Sequence, residues 1–289
     1  MKKVYPYLFI FPAMTGIVVF VLYPMVKLII QSFYKVNPMN EANSRFIGLE
    51  NYVRMFQDET FREAVVNNLK FVVLGSLFQL CVGLILAILL THISKGGNIL
   101  RVIYFIPCII SSMAVCQIFS KMLSVQPQGL VCYVMEKLGM EPIALLANSH
   151  TALITITLID GYKYCGLYMI IFYSAFVSIS KDVIEASTMD GCNVFQQYRY
   201  IKLPLVKNIF SIVIVMLVNG CLKTFDVFYI LDNKSRSTEM VATYMYKTAF
   251  NSADFGYGST LSVFLVIECL VAVGIIQKCL GSAKGDGSE

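Results

Sequence analysis

Apolar residues recur along the chain in long, nearly unbroken runs that short polar stretches separate. A helix that crosses a bilayer needs about 20 predominantly apolar residues, and this length identifies six such runs. The runs are too long and too uniformly apolar for the alternating pattern of barrel strands, so each is predicted to be a helix. The six predicted spans cover roughly residues 8–33, 69–90, 102–123, 153–179, 209–231 and 261–280.

Composition supports the same fold class. Hydrophobic residues make up 57% of the 289 residues, charged residues only 14%, and the mean hydropathy is +0.69, which together exclude an ordinary soluble domain. Apolar runs recur from residue 8 to residue 280 and leave no room for a second globular unit. We therefore expect an all-α integral membrane protein with six transmembrane helices and a single domain, residues 1–289.

The formal net charge of +5 comes from basic residues scattered between apolar runs rather than clustered in a stripe. This distribution indicates membrane lipid as a partner and gives no support to nucleic acid. An even number of spans puts both termini on one side of the membrane. Short loops near span ends carry the orientation signal, and it favours cytoplasmic termini. The basic residues on that side are Lys2, Lys3, Lys95, Arg101, Lys181, Arg199, Lys202, Lys207, Lys278 and Lys284.

The stretch 180–204, between the fourth and fifth predicted spans, is more than a connector. Ser180 can cap a helix there, Asp182 suits its positive end, and Gly191 can end it in a left-handed turn. Asn193 can cap a second short helix that Pro204 is expected to stop. One face of this second helix is predicted to carry the apolar residues Phe195, Tyr198 and Ile201.

These residues resemble the EAA loop of bacterial importer permeases of the ABC type. The pattern is Glu-Ala-Ala, then Asp-Gly, nine residues and Ile-x-Leu-Pro. Here it reads Glu185-Ala186-Ser187, Asp190-Gly191, nine residues and Ile201-Lys202-Leu203-Pro204. The third position is Ser187 instead of alanine, a small-for-small change. The resemblance implies a cytoplasmic coupling helix that docks into an ATPase subunit through Glu185, Ala186, Ser187, Asp190, Gly191, Leu203 and Pro204.

Further matches, in the right order, resemble the maltose and multiple-sugar permeases. They lie at 7–13, 48–52, 105–107, 248–250 and 255–258. The resemblance implies four kinds of partner: a second homologous permease, two copies of a cytoplasmic ATPase, an extracytoplasmic sugar-binding protein, and membrane lipid. The stretch 231–237 departs from the family pattern, and the chain contains no tryptophan. Substrate contacts that depend on indole rings therefore cannot be transferred to it.

Polar residues inside membrane spans are costly and usually face the bundle interior or a wet cavity. Helical spacing puts them on one face of the fifth span and one face of the fourth, and these faces are predicted to line a sugar path. The predicted lining residues are Asn219, Lys223 and Asp226 on the fifth span, and Asp160, Tyr164 and Tyr168 on the fourth. Tyr168 also matches the tyrosine that sugar permeases place in the path.

An alternative for the charged residues is that they form i to i+3 pairs, Asp160 with Lys163 and Lys223 with Asp226, that only hold the bundle together. Glu268, alone in the sixth predicted span, is expected to pair across a helix interface. Both the packing and the substrate-contact interpretations of the four charged residues stay open from the sequence alone.

No catalytic residue, cofactor or metal site is predicted. The chain has no phosphate-binding Gly-x-x-x-x-Gly-Lys-Ser/Thr, so ATP is expected to be bound and hydrolysed by the partner ATPase. The resulting hypothesis is a permease subunit of a binding-protein-dependent sugar importer in a bacterial plasma membrane. The alternatives are a glycerol-phosphate permease of the same architecture, an ion-coupled secondary transporter that uses Asp160, Asp226 or Glu268, and a purely structural membrane subunit.

Overall fold

The computed structural model describes residues 5–38, 43–93, 95–232 and 235–281. Several residues of the orientation argument and of the 231–237 stretch lie outside this part of the chain: Lys2, Lys3, Lys284, Asn233 and Lys234. The described residues are mostly helical, which confirms the predicted fold class. Their only sheet is a hairpin of two short antiparallel strands, β1 (Tyr34–Lys35) and β2 (Arg45–Phe46).

Fifteen α-helices follow one another in the described residues. They are α1 (Tyr5–Ile17), α2 (Tyr23–Gln31), α3 (Glu50–Gln57), α4 (Glu59–Thr91), α5 (Gly97–Ile109), α6 (Ser112–Met122), α7 (Leu130–Lys137), α8 (Ala152–Val177), α9 (Lys181–Met189), α10 (Val194–Gln196), α11 (Leu203–Leu205), α12 (Lys207–Leu222), α13 (Asp226–Ile230), α14 (Val241–Tyr246) and α15 (Phe255–Gly281). Wider π-helical turns occupy Val18–Leu22, Gln197–Lys202 and Lys247–Asn251, and a 3₁₀ turn occupies Arg236–Thr238.

Four helical segments of the described chain are each long and apolar enough to cross a membrane. They are Ile10–Gln31, Glu59–Thr91, Lys207–Ile230 and Phe255–Cys279. Two bent helix pairs raise the number to six if each pair counts as one span. The first pair is α5 with α6, bent by 95°, and the second is α8 with α9, bent by 71°.

The third predicted span, 102–123, corresponds to the first bent pair, and a local bend is what the proline at 107 predicts for this span. α5 begins five residues earlier, at Gly97, and the helix breaks before α6 begins at Ser112. Ile110 and Ser111 take extended backbone conformations at the break. Pro107 lies one turn before the break and cannot donate a backbone hydrogen bond, which weakens the helix there.

The prediction of one continuous fifth helix over 209–231 is wrong. α12 ends at Leu222 and α13 begins at Asp226, so Lys223, Thr224 and Phe225 lie outside regular helix. A broken helix leaves backbone carbonyls without partners, and these need replacements inside a bundle. Asn68 supplies one, because its Nδ2 donates to the carbonyl of Leu222 at 3.3 Å.

The chain separates into two compact units, and the prediction of a single domain stays a prediction. The first unit comprises Met1–Ala64 and Val241–Glu268. In it, Asn51 Nδ2 donates to the carbonyls of Ser32 and Tyr34 at 2.9 and 3.2 Å, which joins α3 to the β1 strand.

Asp58 is the most connected carboxylate of the first unit. Its Oδ2 accepts hydrogen bonds from the hydroxyls of Tyr244 and Tyr257 at 2.5 and 2.7 Å, and its Oδ1 accepts from the backbone of Thr60 and Phe61 at the start of α4. Burial by itself raises the pKa of Asp58, but these hydrogen bonds outweigh burial and hold the pKa below its ordinary value. The carboxylate therefore ties the sixth span to the start of the second.

The second unit comprises Val65–Met240 and Cys269–Glu289. One core cluster surrounds Phe71, Ile156 and Phe228, and another surrounds Met169 and Phe172. α8 contributes to both clusters and is therefore the central helix of this unit.

A close helix approach supports that core. At Gly166 of α8, an added Cβ would come within 2.0 Å of the backbone carbonyl of Tyr104 in α5. No side chain fits at that distance, so glycine at 166 is required for the contact between α5 and α8.

Candidate functional site

The segment 180–204, which the sequence predicts to couple to an ATPase and which is named the coupling projection for that reason, begins with α9, and α9 leaves the axis of α8 at 71°. Ser180 stands at the predicted N-cap position, but its side chain makes no capping hydrogen bond, so that part of the prediction is wrong. Asp182 lies in the first turn, where a negative charge suits the helix dipole. Gly191 follows the helix with φ of +80°, the left-handed conformation expected of it.

The second half of the projection starts at Asn193, which forms a capping box with Gln196. Asn193 Oδ1 accepts from the backbone of Gln196 at 2.9 Å, and Gln196 Oε1 accepts from the backbone of Asn193 at 2.8 Å. The prediction that Pro204 stops this helix is wrong. Pro204 lies in the first turn of α11, where a missing backbone donor costs little, and helix resumes at Lys207.

The predicted single apolar face of the second helix is also wrong. Tyr198 is only 6% exposed, whereas Phe195 is 73% exposed. The reason is the π-helical turn Gln197–Lys202, because its wider turn breaks the 3.6-residue period on which the prediction rested.

Tyr198 anchors the projection to the rest of the second unit. Its hydroxyl shares a hydrogen bond with Thr91 Oγ1 at the end of α4, and its ring packs edge to face against Phe176 of α8 at 5.4 Å. The ammonium of Lys202 lies 4.1 Å from the centroid of the Tyr198 ring. These contacts attach the projection to two long helices at once.

The remaining coupling residues divide between an outward and an inward face. Glu185, Ala186 and Asp190 are exposed, but Ser187 is buried and its hydroxyl donates to the carbonyl of Ile184 at 2.7 Å. Ser187 therefore packs within the projection. Leu203 is partly buried against the core, and Pro204 is exposed.

Large apolar side chains remain exposed on the projection. These are Val183, Met189, Val194, Phe195 and Tyr200, and Met189 is 88% exposed. Exposed apolar groups gathered on one short segment are typical of a protein interaction surface.

A cavity of about 270 Å³ lies in the second unit, lined by residues of α4, α8, α12, α13 and the break before α13. The structure brings five of the six predicted path residues to this cavity: Asp160, Tyr164, Tyr168, Lys223 and Asp226. The sixth, Asn219, is not among the lining residues, and its Nδ2 donates to the carbonyl of Val215 in its own helix at 3.2 Å. Contact of these residues with a substrate stays a prediction.

The reason given for grouping Asn219, Lys223 and Asp226 is wrong, although two of the three do meet at the cavity. Their spacing puts them on one face only if the helix is continuous, and the break at 223–225 interrupts it. Lys223 reaches the cavity from the end of α12, and Asp226 reaches it from the first turn of α13.

Hydrogen bonds around the cavity replace the ion pairs that the sequence suggested. Among the described residues, Asp160 forms no ion pair with Lys163, and Lys223 forms none with Asp226. Lys163 Nζ instead donates to Ser112 Oγ, and Ser112 Oγ donates to Asp226 Oδ2 at 3.0 Å. This connection is named the Lys163–Ser112–Asp226 bridge.

Asp160 is 2% exposed, and only one of its two carboxylate oxygens has a hydrogen-bond partner in the described chain. Its Oδ2 accepts a hydrogen bond from Gln79 Nε2 at 3.0 Å. Its Oδ1 is shielded from water and has no hydrogen-bond partner in the described chain. Buried polar atoms without partners are rare and costly, so this oxygen marks the cavity as a site that something else completes.

The residues of the site that were missed from the sequence include Gln79, Ser112 and Phe225. Gln79 is a polar residue inside the second predicted span, so the rule that selected Asp160 could have found it. Ser112 follows the break in the third helix, which Pro107 signals, whereas Phe225 lies at the break in the fifth helix, for which the sequence gives no comparable signal.

Glu268 differs from its prediction. One carboxylate oxygen, Oε2, is buried without a hydrogen-bond partner in the described residues, so the expected pairing across a helix interface is not seen there. No group of three or more His, Cys, Asp or Glu in the described chain is arranged to hold a metal ion.

Comparison with known proteins adds a family and a fold. The family model described as "Binding-protein-dependent transport system inner membrane component" matches residues 79–283. The arabinooligosaccharides transport system permease protein AraP of Bacillus subtilis (strain 168) is 29% identical over 99% of this chain and 91% of its own length. The lactose transport system permease protein LacF of Rhizobium radiobacter is 28% identical over 92% of this chain and 90% of its own length.

A solved structure shows the same fold. It is a chain of a bacterial alginate ABC transporter in complex with an alginate pentasaccharide-bound periplasmic protein. The TM-score is 0.88 with 21% sequence identity, and the match covers 99% of this chain and 98% of that one.

Proposed function

The chain belongs to the family of binding-protein-dependent transport system inner membrane components, and from this premise we propose that it is the permease subunit of an ATP-driven importer of sugars or short oligosaccharides. Relatives that match nearly the whole chain are named as sugar permeases. The single observation that supports coupling to ATP hydrolysis is the set of exposed apolar side chains on the coupling projection.

The partners follow from this role. Two copies of a cytoplasmic ATPase bind ATP and hydrolyse it, and one of them receives the coupling projection through Glu185, Asp190 and the exposed apolar groups around them. A second, homologous permease completes the substrate path, and an extracytoplasmic sugar-binding protein delivers the cargo. Both termini lie in the cytoplasm, since the projection must face the ATPase.

Transport in this proposal is alternating access. The attachment of Tyr198 to α4 and α8 supports a rigid lever, so a movement of the docked projection shifts the helices that line the cavity. Two discrete packings exchange, and nucleotide binding favours one of them. Asp160, Tyr164, Tyr168, Lys223 and Asp226 contact the cargo, whereas Asn219 supports the helix behind them.

The test measures uptake of labelled arabinotriose into proteoliposomes that contain the assembled transporter and the binding protein. We expect uptake that requires ATP inside the vesicles and persists when ionophores collapse every ion gradient. Uptake that stops with the gradients and ignores ATP would establish the ion-coupled alternative. Uptake of glycerol phosphate in place of arabinotriose would establish the other alternative.

A second arm addresses the docking surface. Met189→Asp introduces a charge at a side chain that is 88% exposed, so the fold should be unchanged while ATPase co-purification falls. The matched control is Met140→Asp, at a methionine side chain that is 52% exposed and lies outside the predicted spans. We expect the control to leave ATPase capture by the assembled protein intact, and full capture by Met189→Asp would overturn the proposed docking.

A further inference from the structure

We infer that the cavity recognises an uncharged, hydroxyl-rich cargo and excludes anionic cargo, and that Asp160 and Asp226 set this preference. This inference rests on the proposed function and deepens it by naming the chemical class of the substrate. Three observations support it: the charges of the lining, the unpartnered oxygen of Asp160, and the aromatic surfaces beside it.

The charges of the lining are unequal. Asp160 and Asp226 line the cavity from α8 and α13, and Lys223 is the one basic residue among the lining residues. Lys163 is not among the lining residues, and its ammonium lies behind the wall, where it donates to Ser112 Oγ, which bridges to Asp226, and to the Tyr164 hydroxyl at 3.2 Å. A phosphate or carboxylate cargo would face two lining carboxylates and one lining ammonium. Like charges at close range repel each other, so this repulsion lowers the affinity for an anionic cargo.

The unpartnered oxygen has the same implication. Asp160 Oδ1 needs a partner, and the neighbouring Gln79 already donates to Oδ2. A cargo hydroxyl can donate and accept, so it satisfies Oδ1 whether or not that oxygen carries a proton. A phosphate dianion or a carboxylate group offers only acceptors, so the oxygen is left without a donor wherever such a group takes the place of a hydroxyl.

Aromatic surfaces complete the chemistry. Tyr164, Tyr168 and Phe225 line the cavity, and the Phe225 ring stacks on Tyr229 with centroids 4.9 Å apart and planes 20° apart. Flat rings next to hydrogen-bonding groups suit a sugar ring, which has an apolar C–H face and a polar edge.

The size of the cavity limits what one chain can hold. Its volume of about 270 Å³ is below the ~300–1,000 Å³ typical of pockets for drug-sized ligands. The cavity therefore fits one small unit of the cargo, and a longer oligosaccharide extends toward the second permease. Asp160 Oδ1 is shielded in this conformation, so the cargo reaches it when the walls move during the transport cycle.

The experiment measures equilibrium binding to the assembled transporter in lipid nanodiscs, without the binding protein, so that only the membrane site selects. The probes are neutral arabinotriose and anionic trigalacturonate. We expect the wild-type complex to bind arabinotriose at least about tenfold more tightly, a difference of about 1.4 kcal/mol. Asp160→Asn and Asp226→Asn should each reduce this preference severalfold.

A variant that removes a positive charge is expected to shift the binding preference in the opposite direction. Lys223→Gln removes the ammonium of the lining, so the preference for arabinotriose should increase. Asn219→Ala is the matched control on α12, because Asn219 does not line the cavity and should leave the preference unchanged. Asp226 is exposed, so Asp226→Asn tests the inference even if Asp160→Asn fails to assemble.

The outcomes separate the two levels of the proposal. Equal binding of both probes by the wild type, or a preference that neither Asp160→Asn nor Asp226→Asn changes, would overturn the inference. An assembled transporter that shows no ATP-driven uptake of arabinotriose in proteoliposomes would instead overturn the proposed function.

Discussion

The coupling projection and the cavity are built in opposite ways. The projection is one continuous segment of 180–204, and its capping box and left-handed glycine involve residues at most three apart from their partners. The cavity is assembled from α4, α8, α12, α13 and the break at 223–225. Its Gln79–Asp160 contact joins residues 81 positions apart, and the Ser112–Asp226 contact joins residues 114 apart.

This difference teaches where single substitutions have consequences. A local segment keeps most of its geometry when one contact is removed, because neighbouring backbone bonds remain. A cavity built by long-range contacts depends on each of them, since the helices it joins are otherwise connected only through their core packing. The predictions below test this contrast.

The largest effect is expected at the Lys163–Ser112–Asp226 bridge. Ser112→Ala removes an acceptor from Lys163, which is 4% exposed, and a donor from Asp226. Leaving a buried ammonium less satisfied costs about 1–3 kcal/mol, measured as a lower melting temperature of the purified protein. Ser111→Ala is the matched control, because the Ser111 side chain makes no capping hydrogen bond and should change little. Equal melting temperatures for both variants would contradict the importance of the bridge.

The next effect is expected at Gly191, with φ of +80°. Gly191→Val forces a β-branched residue into a left-handed conformation that costs at least about 1–2 kcal/mol, so α9 should lose its fixed end. We expect ATPase co-purification and transport to fall about tenfold. Gly191→Asn is the control, since asparagine tolerates this conformation and no atom lies within 4 Å of the added Cβ. A valine variant that transports as well as the asparagine variant would show that the turn is not needed for coupling.

The smallest effect compares the two ends of the projection. Asn193→Ala removes the hydrogen bond that Asn193 Oδ1 accepts from the backbone of Gln196, which is one half of the capping box, and should cost about 1 kcal/mol. Ser180 stands at the N-cap position of α9, but its side chain makes no capping hydrogen bond. Ser180→Ala should therefore leave the stability of the helix almost unchanged. Transport assays and hydrogen exchange at residues 194–202 measure both. If the two variants behaved alike, local capping would not determine the order of this segment.

Much of the fold could be predicted from the sequence. Long apolar runs have one solution in a bilayer, so the helical class and four of the membrane segments follow from length and hydropathy alone. The local signals at 180–204 also predicted a short helix, a left-handed glycine and a second capped helix, because such signals are contiguous in sequence, whereas the coupling role of this segment stays a prediction. Gly191 and Asn193 behave as their residue types require.

The breaks in helices were not predictable in the same way. The runs 102–123 and 209–231 are predominantly apolar, and hydropathy does not report where a helix bends, so only Pro107 in the first run predicts a bend. Where the fifth helix breaks after Leu222, the carbonyl of Leu222 is satisfied by Asn68, on a distant part of the chain, and sequence alone does not show that pairing. The cavity depends on this break. Helical spacing correctly grouped Lys223 with Asp226 at the cavity, but the continuous helix that it assumed does not exist.

The break at 223–225 also has a consequence for how such a transporter diversifies. Leu222 and Val227 on either side are 2% and 1% exposed and hold the segment in the core, while Lys223, Thr224 and Phe225 between them line the cavity. None of these three residues is buried, so substitutions there alter the lining of the cavity more than the core. A lineage can therefore change what the cavity contacts within a three-residue segment, while the helices that enclose the cavity stay the same.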